Sequence, residues 1–93
     1  DMHNLHISYD LKQPGRDYEK VSKCIKLLGS WAKIHESFWY VKSTLTAQQA
    51  LKKLEAMVDI NDVVYVVDSS SNEAAWNQLP SKVTEHIQTN WNR

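Results

Sequence analysis

Ninety-three residues make a single domain, near the lower end of the usual size range, so the chain can bury only a limited share of its surface. Four Trp and four Tyr offset this with large side chains. Eleven basic residues balance eleven acidic ones, which excludes a global positive field of the nucleic-acid-binding kind; the lone Cys24 excludes an internal disulfide and any multi-cysteine metal site.

The first predicted element is a strand. In Leu5-His6-Ile7-Ser8-Tyr9-Asp10 the apolar and polar residues alternate strictly, so Leu5, Ile7 and Tyr9 point to one face and His6, Ser8 and Asp10 to the other. Pro14-Gly15 then breaks the strand. A helix follows, with Asp17 as N-cap, Tyr18, Val21, Ile25 and Leu28 as its apolar stripe, Lys20, Lys23 and Lys26 outside it, and Gly29 as terminator. The aromatic and β-branched stretch Trp31 to Val41 reads as two strands meeting near Glu36-Ser37.

A second helix opens at Thr46, which forms a capping box with Gln49, and carries Ala47, Ala50, Leu51, Leu54, Met57 and Val58 on its apolar face. Asp62 and Asp68 bracket Val63-Val64-Tyr65-Val66-Val67, a strand apolar on both faces. After the polar connector 69–72, residues Glu73 to Gln78 read as a short helix carrying Trp76. Pro80 then opens a last helix with Val83, Ile87 and Trp91 on one side.

This order predicts an α+β domain of ferredoxin-like βαββαβ form over 2–68, a four-stranded antiparallel sheet with both helices on one face. Residues 69–93 form its C-terminal helical extension. The fourth strand would lie at an edge, and five consecutive apolar residues there need cover, either from the helical tail or from a second subunit. Aromatic side chains on the other sheet face favour a homodimer, with Val64, Val66 and Trp39 as its expected interface residues. No apolar run reaches membrane-span length and no signal-peptide pattern precedes the first strand, so a cytoplasmic protein is expected.

The pattern resembles the small ferredoxin-like subunit of the CRISPR spacer-integration complex and its CRISPR-associated endoribonuclease relatives, a superfamily that includes the virulence-associated protein D ribonucleases. Three segments carry the resemblance: Tyr9-Asp10 at the end of the first strand, Ser37-Phe38-Trp39 after the helix that ends at Gly29, and Asp62-Val63-Val64-Tyr65 in the last core strand. The similarity spans roughly Met2 to Val67, and small bacterial proteins labelled SinR-like are expected among the relatives. It implies a homodimer in which two Asp10 carboxylates approach across the two-fold axis and share Mg²⁺ or Mn²⁺. Magnesium suits such a site because it keeps several waters and needs only one or two carboxylates besides substrate phosphate. A metal-bound water could then attack a phosphodiester of RNA or DNA. Asp10 is the one position carried over as catalytic and metal-binding. Tyr9, Ser37 and Trp39 carry over as its substrate-side neighbours, and Arg16, in the loop after the strand, suits a phosphate clamp because its planar fork matches phosphate oxygens. The chain departs from the family in its neutral charge, in lacking an arginine cluster and in its tail from Ser69 onward.

Other chemistries find little in the sequence. His6 and Asp10, four strand residues apart, are separated by roughly 13 Å and cannot chelate one ion within a protomer. No serine sits in a nucleophile elbow, and Gly15 and Gly29 are too far apart to form a phosphate loop. Two further readings stay open: a non-catalytic dimeric adaptor or component of a toxin or defence module, and a small-ligand-sensing ferredoxin-like module.

Overall fold

A computed structural model describes residues 1–12 and 18–91. Its elements run β1 (His3–Asp10), α1 (Tyr18–Lys26), β2 (Gly29–His35), β3 (Phe38–Ser43), α2 (Ala47–Glu55), β4 (Val63–Asp68), β5 (Glu73–Asn77) and α3 (Ser81–Asn90). The five strands form one sheet in the order β2-β3-β1-β4-β5, every neighbouring pair antiparallel. The sheet therefore has five strands rather than the expected four.

The alternation in β1 decides the layering. Leu5, Ile7 and Tyr9 are buried in one cluster with Val21 and Ile25 of α1 and Ala50, Leu51 and Leu54 of α2, so both helices cover that face. Val64, Val66, Trp39 and Val41 join them from the neighbouring strands. The capping box of α2 forms as expected: the Gln49 backbone N–H donates to Thr46 Oγ1 at 3.2 Å, and the Thr46 N–H donates to Gln49 Oε1 at 3.0 Å. Gly29, read as a helix terminator, instead begins β2. A Cβ there would lie 2.0 Å from the Lys42 carbonyl oxygen, so close approach of β3 is what requires glycine.

The segment Glu73 to Gln78, expected to be a helix, is strand β5 up to Asn77. Residues 69–72 make the tight β4–β5 connection, and Asn72 takes a left-handed backbone (φ 52°) that asparagine tolerates. Each β5 residue then pairs with β4, from Asp68↔Glu73 to Val64↔Asn77. The apolar β4 is thereby an interior strand, covered by β5 rather than by a helical tail or a second subunit. Pro80 does open the last helix, which meets the far side of β5: Trp76 Nε1 donates to Thr84 Oγ1 at 3.2 Å, and Trp91 Nε1 to the Asn72 carbonyl at 3.1 Å. Among the described residues no helix is long and apolar enough to cross a membrane.

Candidate functional site

Asp10 ends β1 on the face turned away from α1 and α2, opposite Val63 of β4. Its carboxylate is well exposed, and Lys12 Nζ lies 2.6 Å from Oδ2. Among the described residues no group of three His, Cys, Asp or Glu is arranged to hold a metal. Among the described residues Asp10 thus offers a single carboxylate, fewer ligands than a protein-held cation uses without substrate or a second subunit.

Three of the expected neighbours do converge, on the opposite side of the strand. The Tyr9 hydroxyl donates to the Glu36 carbonyl at 2.9 Å and accepts from Trp39 Nε1 at 3.0 Å, while the Tyr9 backbone N–H donates to the Ser37 carbonyl at 3.1 Å. This hub ties the β2–β3 turn to the end of β1. Tyr9 and Trp39 are 3 % and 1 % exposed, so in this structure they hold the strand end that carries Asp10 from within the core. Arg16 lies outside the described residues. Val64 and Val66, expected at a subunit interface along with Trp39, are likewise enclosed within the protomer; β4 presents Val63, Tyr65 and Val67 outward instead.

Those outward residues belong to the sheet face that α1 and α2 leave bare, open over β1, β3 and β4 and met by α3 at β5 through Trp76. Strand register places Asn4, His6, Ser8 and Asp10 of β1 between Phe38 and Tyr40 of β3 and Val63, Tyr65 and Val67 of β4, with Ala74 and Trp76 of β5 beyond. The aromatic rings pair across strands: His6 with Tyr40 at 5.6 Å between centroids, and Tyr65 stacked with Trp76 at 5.7 Å. Partial burial among these neighbours raises the Tyr65 hydroxyl above the ordinary tyrosine range. The face combines apolar side chains that remain half-exposed with one carboxylate at its rim.

A second polar cluster lies at the other end of β1. Asp68 is fully buried; His3 Nδ1 lies 2.5 Å from its Oδ2, and the backbone N–H groups of Ser70 and Ser71 donate to its Oδ1 at 3.0 and 3.3 Å. Ser71 Oγ lies 3.3 Å from His3 Nδ1, and Ser69 Oγ lies 3.1 Å from His6 Nε2. The residue types are those of a serine hydrolase, but the geometry is not. Ser71 and Asp68 meet the same nitrogen of His3, whereas proton relay needs the acid on one nitrogen and the serine on the other. The cluster is a clasp joining the start of β1 to the β4–β5 turn. Sixty-five residues separate His3 from Asp68, so only the β1–β4 register brings them together.

No protein-family model, curated protein or solved structure matches this chain.

Proposed function

We propose that the chain is a homodimeric ferredoxin-like module of the CRISPR-associated endoribonuclease type. In this reading the open sheet face is the subunit interface, and Asp10 is the divalent-metal ligand of a nuclease acting on RNA or DNA. The observation that carries it is the placement of Asp10, an exposed carboxylate at the rim of a half-exposed apolar sheet face. A two-fold axis near that rim would bring two carboxylates together and cover the aromatic side chains in one step. Support for the fold comes from the order β2-β3-β1-β4 with α1 and α2 on one face, to which β5 is an addition outside β4. Asp10 would hold Mg²⁺ or Mn²⁺, displacing Lys12, while the buried Tyr9–Trp39 hub fixes the strand end. The metal, when bound, supplies an activated water and charge neutralisation at phosphate.

The test is cleavage of labelled single- and double-stranded RNA and DNA with Mg²⁺, Mn²⁺ or chelator, comparing wild type with Asp10→Asn. Cleavage requiring both metal and Asp10 supports the assignment. Cleavage that persists in Asp10→Asn removes it.

One observation favours a non-catalytic dimeric scaffold as the second reading. Asp10 already has a cation, Lys12, at ion-pair distance, which satisfies the carboxylate without metal. An intact dimer with no cleavage in any lane would select this reading.

A further inference from the structure

The neutral total conceals a polarised molecule. Residues 18–43, which form α1, β2 and β3, contain Lys20, Lys23, Lys26, Lys33 and Lys42 against Glu19 and Glu36. Residues 63–90, forming β4, β5 and α3, contain Asp68, Glu73 and Glu85 against Lys82. Since β2 and β5 are the two edges of the sheet, the basic residues gather toward one edge and the acidic ones toward the other.

The basic edge also carries an exposed aromatic side chain held in place. Trp31 of β2 is 45 % exposed and packs edge-on against the buried Trp39, with centroids 5.4 Å apart at 60°. Lys26 Nζ lies 4.9 Å from the centre of the Trp31 ring, and Lys33 Nζ lies 5.6 Å from that of Trp39. Lys23 precedes Lys26 by one helical turn in the last part of α1. Among the described residues the ion pair made by these lysines is that of Lys33 with Glu36 at 3.0 Å, an exposed pair of the kind that contributes little and gives way readily. Addition of a further strand to this edge is disfavoured, because the irregularity between Lys33 and His35 breaks the regularity of β2 and the edge lysine places a charge where a new strand would pack.

We infer that the α1–β2 edge binds single-stranded nucleic acid, with Trp31 as a stacking platform for one base and Lys23, Lys26 and Lys33 contacting the flanking phosphates. A fixed ring flanked by ammonium groups is the combination that binds single strands with little sequence preference. A duplex keeps its base faces stacked and would leave Trp31 unused. Lys26, which caps the ring in the free protein, exchanges the aromatic face for a phosphate when a base arrives. The inference rests on the nucleic-acid reading proposed above and names the form of strand that this site takes.

The experiment separates binding from cleavage. Fluorescence anisotropy of labelled oligothymidylate and oligouridylate is measured in EDTA at low and rising salt, for wild type, Trp31→Ala, Trp31→Phe and the double variant Lys26→Gln/Lys33→Gln, each with its melting temperature. Trp31→Ala should weaken binding about tenfold, with Trp31→Phe retaining most of it. The double lysine variant should flatten the slope of log affinity against log salt by about 0.7 for each phosphate that is no longer neutralised. Absence of binding by wild type, undiminished binding by a folded Trp31→Ala, or tighter binding of blunt duplex would each overturn the inference. Because metal is absent throughout, loss of cleavage in Asp10→Asn bears only on the nuclease reading, and failure of Trp31→Ala to weaken binding bears only on this one.

Discussion

Asp68 is the residue whose removal the protein should feel most. It is buried, accepts from two backbone N–H groups and faces His3. Asp68→Ala would remove the acceptor that holds the β4–β5 turn and the partner of His3, and should cost about 2 kcal/mol. Asp68→Asn should cost less, since the amide oxygen can still accept from Ser70 and Ser71. Equal chemical-denaturation midpoints for the two variants would contradict the clasp. Tyr9 separates positioning from contact in the same way: Tyr9→Phe keeps the ring but loses the bonds to Trp39 and Glu36, and should lower stability by about 1–2 kcal/mol. Cys24 gives a pH-dependent case. Burial pushes its thiol above the ordinary range, and nearby Lys53 offsets this only partly. A raised value means less thiolate at any given pH, so the alkylation rate of the native protein should rise through its midpoint at higher pH than that of the urea-unfolded chain. Coincident midpoints would contradict the shift.

Among the elements, those with a strong period are legible in the sequence and those fixed by pairing are not. The β1 alternation predicts which side chains are buried, and the Thr46–Gln49 box marks the start of α2. Strand β5 reads as helix because Glu73-Ala74-Ala75 favours helix by local propensity, while the hairpin through Asn72 and the ladder to β4 override it. The same propensity conceals what covers β4. Val64 and Val66 look like interface residues for a related reason, since a run apolar on both faces does not say which face the helices take. At the candidate site, the orientation of Asp10 is readable from alternation, whereas the His3–Asp68 clasp and the gathering of lysines at one edge depend on register and strand order. Gly29 tests the β2–β3 pairing directly. Gly29→Ala would drive a methyl group into the Lys42 carbonyl, so β2 must shift, at a cost of about 2–3 kcal/mol read by thermal melting.

At the scale of the whole molecule, two surfaces compete to explain why a neutral 93-residue chain leaves aromatic residues in view. One is the open sheet face with Phe38, Tyr40 and Tyr65; the other is the basic edge with Trp31. They make separable demands. If the sheet face is the subunit interface, a charge at its centre should split the dimer without unfolding the protomer, because Tyr65 points away from the helix-covered core. Tyr65→Asp should therefore halve the mass measured by light scattering on a sizing column while leaving the far-ultraviolet circular dichroism unchanged. Val64→Asp, one residue earlier but facing the core, should abolish folding itself, since a buried carboxylate there has no partner. The contrast between adjacent positions of one strand makes the test specific to the face rather than to β4 as a whole. A Tyr65→Asp protein that keeps its dimeric mass would move the interface elsewhere, and with it the meeting of the two Asp10 carboxylates on which metal binding depends.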